Sequence, residues 1–511
     1  MSSKGYQEQR LARTKIVATV GPASATREVL TDLVLAGVDV FRLNFAHGSH
    51  EWLSEIVRTI RDISREHRRP IGILGDLSGP KIRLGMLPGD SVSCAEGVEF
   101  KFIRGMETSN PQELTCTYEP LIDDVRPGDR ILLADGCVAM RVVEQDPQRG
   151  FALCVVEVAG IIRSRQGVNL PGVALSTPSL TDKDRADLAW AVKEGIDFVG
   201  LSFVRRVADV VQLRGAIADL DSKSKLQIVS KIEKPEALNE LEAIVDASDA
   251  MMVARGDLGV EVDIVQVPGI QKRLIRLCNQ KRKPVITATQ MLDSMQRNEL
   301  PTRAEASDVY NAVLDGTDAV MLSGETAAGL YPRQAVAMMS RIAHEAEQHR
   351  LSGATIKPNE NVQSGSHRRM ADDHALPMNQ AFETTEAIAI GAVATAERLH
   401  ADLIVVATVS GRAAQAVAKE RTAVPILAIC VSPQAARSLT LLWGVTPIEA
   451  TSLEHSAASI VEQAEAWGLR ESVLTTGSRM VVMASSQWSS AGHDSMLVHT
   501  VGQCSIAGGK D

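Results

Sequence analysis

The amino-acid sequence predicts an α/β protein: a (β/α)8 TIM barrel with an inserted small β-barrel domain and a C-terminal α/β domain. Three observations carry this prediction. Eight short apolar runs each end in polar or glycine residues and lead into segments with helical spacing. One long interruption of that repeat alternates with period two, and a second α/β alternation follows a polar stretch.

The eight runs are KIVATVG at 15–21, VDVFRLN at 38–44, IGILGD at 71–76, DFVGLSF at 197–203, LQIVSKIE at 226–233, DAMMVARGD at 249–257, PVITATQ at 284–290 and DAVMLSGE at 318–325. Continuous apolar strands separated by helices imply a parallel sheet covered on both faces, and eight such units close a barrel. Between the third and fourth runs, ELTCTY, DRILLAD, VAMRVVE and FALCVVEV are short segments broken by the turn signals RPGD and DPQRG. The barrel is therefore assigned to 1–83 and 181–351, and the insert to 84–180. Placed after a barrel strand, the insert overhangs the mouth as a lid that excludes water. The turn-rich run at 352–380 reads as a linker. Residues 381–511 read as a separate α/β domain, through helix-like TTEAIAIGAVATAERLH, strand-like DLIVVAT, helix-like GRAAQAVAKER and strand-like VPILAICV.

Bulk properties narrow the function. A chain of 511 residues with 45% hydrophobic and 23% charged content is globular and long enough for roughly three domains. Its net charge of -9, with no dense basic stripe, argues against nucleic acid or an anionic membrane as the main partner. The seven cysteines form no CxxC pair, which fits a reducing compartment. The polar start MSSKGYQEQRLARTK lacks an apolar signal region and no run of 18 apolar residues follows, so the expected location is the cytoplasm.

In a barrel, chemistry lies at the strand C-terminal ends. Those ends carry Arg42, Asn44, Asp76, Lys231, Glu233, Asp257, Thr289, Ser323 and Glu325, far apart in sequence but convergent on one mouth. Lys231 and Glu233, two apart on an extended segment, share a face and present a cation and a carboxylate together. They suit a phosphoryl group and a metal, or an ordinary salt-bridged strand end. Gly256 permits close backbone approach, and helix N–H groups beyond it could hold a carboxylate. Asp257 offers a second hard oxygen ligand or a helix cap. Two carboxylates are too few for a closed site, which suits magnesium because that ion keeps waters and substrate oxygens. The hydroxyls of Thr289 and Ser323 offer a proton relay; turn or cap chemistry is the stronger alternative for Ser323 taken alone. Thr302 and Glu305 form a capping-box pattern, so PTRAEASDVYNAVLDG is largely structural. Arg42, Asn44, His47, Lys81 and Arg83 supply the cations and polar groups that nucleotide phosphates need, or a solvated surface.

The runs RLNFAHG, GDLSGPKIR, GVNLPG, SKIEKPEA, MVARGDLGVE, ITATQMLDSM, PTRAEASDVYNAVLDG and MLSGETAAG, in this order, resemble the pyruvate kinase family across nearly the whole chain. The resemblance implies phosphoryl transfer from phosphoenolpyruvate to ADP, giving ATP and pyruvate, the last step of glycolysis. It implies that Lys231 stabilises the migrating phosphoryl group and that Arg42 binds phosphate. Glu233 and Asp257 then hold Mg2+, with Mn2+ as an alternative, while the Gly256 backbone and Thr289 bind the substrate carboxylate. His47, Arg83 and Asn44 match positions near the nucleotide. The family is usually a homotetramer.

Two departures stand out. Many family members bind potassium through an Asn, a Ser, an Asp and a Thr carbonyl, with a Glu in the GPEIR run. Here those places hold Asn44, Ala46, Asp76, Leu77 and Lys81, so the Lys81 ammonium stands where the charge of potassium is otherwise needed and K+ is not required. The stretch resembling the effector-phosphate loop, Thr408, Ser410, Gly411 and Arg412, offers few hydroxyls. The later QWSSAGHD run lacks an arginine, which argues against a fructose bisphosphate activator and leaves another phosphate-bearing or nucleotide effector open. A silent homologue acting as a metabolite sensor is the main competing reading; it requires loss of a catalytic ligand, and none is lost.

Overall fold

A computed structural model describes residues 12–173, 175–351, 380–450, 456–484 and 493–502. The eight predicted runs form eight parallel strands: β1 (Lys15–Thr19), β2 (Val40–Asn44), β3 (Gly72–Asp76), β4 (Phe198–Leu201), β5 (Gln227–Ile232), β6 (Ala250–Ala254), β7 (Val285–Ala288) and β8 (Ala319–Leu322). They close in the order β1-β8-β7-β6-β5-β4-β3-β2. Alternate residues explain why each run must be apolar throughout. Val17, Val40, Leu74, Phe198, Val229, Met252, Ile286 and Met321 fill the barrel interior, whereas Ile16, Phe41, Ile73, Val199, Ile228, Val253, Val285 and Val320 pack outward under the helices. The polar tail of each run lies beyond its strand, at the mouth.

The inserted strands share one core that runs from Ile82 to Val173. Their pairing gives the expected small barrel: a six-stranded sheet and a two-stranded ladder wrap this core, and the segment 82–85 joins the two edges of the larger sheet. Leu84 N lies on the Gln166 carbonyl and Val168 N on the Ile82 carbonyl at one edge, and Gly85 N on the Thr115 carbonyl and Thr117 N on the Arg83 carbonyl at the other.

In the C-terminal region β9 (Leu403–Thr408), β10 (Ile426–Cys430), β11 (Val445–Glu449), β12 (Arg479–Ala484) and β13 (Ser495–Thr500) form a sheet in the order β11-β10-β9-β12-β13. All its pairs are parallel except β12 with β13. Helix Gln380–Leu399 begins at the end of the expected linker, and the rest of that linker lies outside the described residues. The six described cysteines are free thiols. Among the described residues no helix is long and apolar enough to cross a membrane.

The C-terminal region plugs the barrel floor. Leu441 belongs to the interior cluster of the barrel, and at Gly72, which opens β3, a Cβ would lie 2.4 Å from the Thr440 hydroxyl. Beside this contact, buried Asp318 receives the Lys419 ammonium at 2.5 Å and Arg421 at 2.9 Å. Burial pulls the Lys419 ammonium down to about 8, against the opposing pull of Asp318. The unfolded value is near 10.5. Between these two values the unfolded chain binds more protons, so this lysine makes stability rise with pH there. Urea midpoints of the native chain relative to Lys419→Met are expected to increase from about pH 8 to about pH 10 and to stay level below about pH 7. A difference independent of pH would contradict the lowered value.

Candidate active site

The strand ends converge at one mouth as expected, and four of their side chains form a buried ionic cluster. Arg42 leaves β2 and meets Asp76 at the end of β3, with Nη2 at 2.5 Å and Nε at 2.8 Å from Oδ2. Its Nη1 reaches the Thr19 hydroxyl at 3.2 Å. Lys231, on β5, donates to the Ser202 hydroxyl at 2.7 Å. Its ammonium also lies 2.9 Å from Glu233 Oε1 and 3.3 Å from Asp76 Oδ1. Ser202 in turn donates to the Leu77 carbonyl at 2.7 Å. A glycine on β4 makes the cluster sterically possible, because a Cβ at Gly200 would stand 2.7 Å from Asp76 Oδ1.

Opposite charges set the protonation states. Burial pulls the Lys231 ammonium down, but Asp76 and Glu233 outweigh it and push the ammonium up to about 12. The Asp76 carboxyl is held below the usual range because Lys231 and Arg42 overcome its desolvation. Glu233 is raised: burial dominates, Lys231 opposes it and the nearby Asp257 charge adds to it. Its Oε2 accepts the Phe203 N–H at 2.7 Å, and Phe203 adopts a left-handed φ of 54° to present that group.

Asp257 sits in the first turn of helix Arg255–Glu261, whose N-cap is Ala254 without a side-chain cap bond. Asp257 is therefore not the cap, and its carboxylate makes no hydrogen bond or ion pair among the described residues. The Gly256 N–H donates to Thr289 Oγ1 at 2.7 Å. Thr289 has φ 71°, a costly conformation for a β-branched residue. Arg255 holds it there by donating to the Thr289 carbonyl at 2.8 Å while pairing with Asp308 at 2.7 Å. Ser323 Oγ is buried and unpartnered. Buried Glu325 accepts from Leu292 N at 3.0 Å and Ser323 N at 2.7 Å, so it braces the rim. Thr302 and Glu305 make the expected capping box.

A fit for a divalent ion can be judged from the acids alone. Among the described residues no group of three His, Cys, Asp or Glu side chains could hold a metal. The pair of Glu233 and Asp257 leaves acid charge at the mouth that raises Glu233, and a hard divalent ion completing its shell with substrate and water suits such a pair.

The structure does not bring every expected residue into this cluster. His47 is exposed on the loop after β2, and Arg83, assigned from sequence as the last barrel residue before the insert, pairs with the insert instead, bridging to Gly167 with its Nη1 on the Arg165 carbonyl at 3.3 Å. Asn44 Oδ1 accepts the Ala46 N–H at 3.1 Å. Lys81 lines a crevice where the insert's Asp135 and Asn169 meet Phe203, Lys234, Asp257 and Glu261 of the mouth. Direct insert-to-barrel contact is made there by Asn169 Nδ2 on Glu261 Oε1 at 3.0 Å. At the expected effector loop, Thr408 Oγ1 accepts the Gly411 N–H at 2.9 Å, Ser410 is exposed, and Arg412 opens the following helix. Residues 485–492, most of the QWSSAGHD run, lie outside the described residues. Ser202, Phe203 and Arg255 are site residues that sequence reasoning missed. The one available signal was a hydroxyl directly after the apolar run DFVGL.

Comparison with known proteins agrees with this geometry. Residues 11–336 match the barrel domain of pyruvate kinase, and residues 386–499 match its alpha/beta domain. Pyruvate kinase of Sporosarcina psychrophila is 39% identical over 508 residues, covering 98% of this chain and 83% of that protein. The Geobacillus stearothermophilus pyruvate kinase is 40% identical over 490 residues, covering 96% and 80%. A crystal structure of a pyruvate kinase from Cryptosporidium parvum superposes with a TM-score of 0.84 at 34% identity, covering 96% of each chain. A closed parallel barrel with a Lys–Glu–Asp mouth, matched over almost its full length, places the chain in the pyruvate kinase family, phosphotransferases that convert phosphoenolpyruvate and ADP to pyruvate and ATP.

Proposed function

We propose that this chain carries out that reaction with Lys231 and Arg42 facing the phosphoryl group in flight. The observation that carries the assignment is the Lys231 ammonium, kept charged between Asp76 and Glu233 at the mouth and directly beside the acid pair. Phosphoryl transfer spreads negative charge over peripheral oxygens, so fixed cations supply most of the stabilisation. Glu233 and Asp257 are the residues that would hold Mg2+, or Mn2+ in its place; the ion supplies Lewis-acid stabilisation of the enolate oxygen. The Gly256 N–H and the Thr289 hydroxyl are placed to receive the substrate carboxylate, Gly256 giving up its bond to Thr289 and the Thr289 hydroxyl its bond to the Ala288 carbonyl. Ser323, with a free buried hydroxyl, is the candidate to pass the proton that completes pyruvate. Asn44, His47 and Arg83 stand on the nucleotide side, between β2 and the insert, which serves as the lid. We further infer a cytoplasmic homotetramer whose Thr408, Ser410, Gly411 and Arg412 loop receives a phosphorylated or nucleotide effector.

Potassium is the finer question. Two of the groups that would hold it are engaged within the protein, the Leu77 carbonyl by Ser202 and Asn44 Oδ1 by Ala46 N. Asp76 is ion-paired with Arg42 and Lys231, although its buried Oδ1 accepts no hydrogen bond among the described residues. Lys81 is exposed, with no side-chain partner among the described residues, and lines the crevice beside Asp257. Its ammonium is free to supply the charge in place of the ion. A coupled assay with phosphoenolpyruvate, ADP and magnesium is expected to give turnover at the same rate in sodium-only and in potassium buffer. No turnover in either would favour the silent sensor; strong potassium activation would overturn the role of Lys81.

A further inference from the structure

A cleft of about 660 Å³ opens between the barrel and the C-terminal region, away from the mouth. It is lined by six arginines, Arg61, Arg65, Arg68 and Arg69 from the barrel with Arg437 and Arg470 from the other wall, against a single carboxylate, Glu449. That concentration stands out in a chain of net charge -9. The acids that pair with these arginines are Asp39, Asp62, Asp197 and Glu471, and none of them lines the cleft. The paired acids thus lie outside the lining, which holds six guanidiniums to one carboxylate.

The arginines divide into two kinds: Arg61, Arg65 and Arg69 have terminal nitrogens committed to neighbours, Arg69 to the Val34 carbonyl and Asp39 and Arg65 to Asp62, whereas among the described residues Arg68, Arg437 and Arg470 do not. Arg61 is a fixed strut: its terminal nitrogens bond the Ile71 carbonyl at 2.9 Å, the Gly195 carbonyl at 3.1 Å and Asp197 at 2.8 Å. Arg437 gives its Nε to the same Asp197, at 2.7 Å, and its two terminal nitrogens make no bond among the described residues. Arg68 is exposed and makes no side-chain bond among the described residues, and its φ of 48° turns the chain at the rim. Among the described residues Arg470 uses only Nε, on Glu471 at 2.9 Å. Planar guanidinium forks on two facing walls match the oxygens of a phosphate. Trp467, Ile448, Pro70 and Pro433 give the cleft an apolar surface as well, and its volume is that of a small-molecule site rather than of a bare ion.

We propose that this cleft is a second ligand site, separate from the Thr408 loop, that binds a phosphate monoester with a sugar or nucleoside body. The phosphate lies against Arg68, Arg437 and Arg470, and the organic body lies on the Trp467 wall. Calorimetric titration of the full chain with AMP, glucose 6-phosphate and inorganic phosphate tests it. Saturable binding of at least one ester is expected, tighter than that of inorganic phosphate. Which ester binds decides between nucleoside and sugar. In an Arg68→Glu, Arg470→Glu double variant the affinity should fall at least about tenfold, because both residues are exposed and their reversal places like charge on the phosphate. A Thr408→Val, Ser410→Ala variant, which removes the proposed effector loop, should still bind an ester at the cleft, and adding the two arginine changes to it should remove that remaining binding. The proposal is overturned if neither ester binds, if inorganic phosphate binds as tightly as both, if the loop variant retains no binding at all, or if adding the arginine changes to it leaves its binding unchanged.

Discussion

Lys231→Met is expected to lower kcat on the order of 1000-fold or more while the protein stays folded. Methionine keeps the length and the apolar stem of the lysine but removes the one cation that touches both Asp76 and Glu233. Arg42 remains, yet it is already turned toward Asp76 by two donors, so it cannot take over the position that Lys231 fills. The variant also leaves a signature independent of catalysis. Glu233 already has a raised carboxyl through burial, with Lys231 as its main counterweight. Without that counterweight its folded-state pKa rises further above the unfolded one. A raised carboxyl contributes stability that is present below the unfolded pKa and is lost as pH climbs through the folded value. The thermal midpoint of the variant should therefore fall relative to the native chain as pH rises above the ordinary carboxyl range. Native turnover in the coupled assay would refute the role of Lys231, and a midpoint difference that does not change with pH would refute the electrostatic account of the cluster.

The barrel was legible because each strand is buried on both faces, which forces a continuous apolar run such as KIVAT or AMMVA and leaves the polar tail to mark the mouth. The positions of Lys231, Glu233 and Asp257 followed from those tails. Their partners did not. Sequence spacing shows that Asp76 ends a strand, but that it meets Arg42 and Lys231, 34 and 155 residues away, depends on the closure of the barrel. Ser202 and Phe203 were hidden for the same reason: a serine and a phenylalanine after an apolar run announce nothing until strand pairing sets them against Lys231 and Glu233. Arg255 reads as a helix-start cation, and only the fold shows it holding Thr289 in a left-handed conformation. The insert was legible through its period-two signal, but the segment that closes it was not, since the bridges at Arg83, Leu84 and Met86 carry no strand pattern. The arginine cleft joins residues from 61–70 with others from 433–470, and docking of two regions leaves no local mark.

Asp257→Asn separates metal binding from fold more cleanly than any change at Glu233. Replacing Glu233 by Gln would also weaken the 2.9 Å ion pair to Lys231 and the 2.7 Å bond from Phe203 N, so lost activity could come from a displaced lysine. Asp257 has no such ties, since its carboxylate makes no bond among the described residues. Two small terms act on stability in opposite directions. The substitution loses the favourable interaction of an acid with the first helical turn, about 0.3–1 kcal/mol, and relieves the charge that raises Glu233. Stability should stay within about 1 kcal/mol of the native chain. Activity should not: an amide oxygen is a neutral, weaker ligand for a hard divalent ion, so kcat/KM is expected to fall on the order of 100-fold or more and the magnesium needed for half-maximal rate to rise about tenfold or more. Titrating magnesium against rate at saturating phosphoenolpyruvate and ADP reads both. An unchanged magnesium curve in a folded Asp257→Asn protein would remove Asp257 from the metal site and leave Glu233 as its sole carboxylate, too little charge for the Lewis-acid role assigned to the ion.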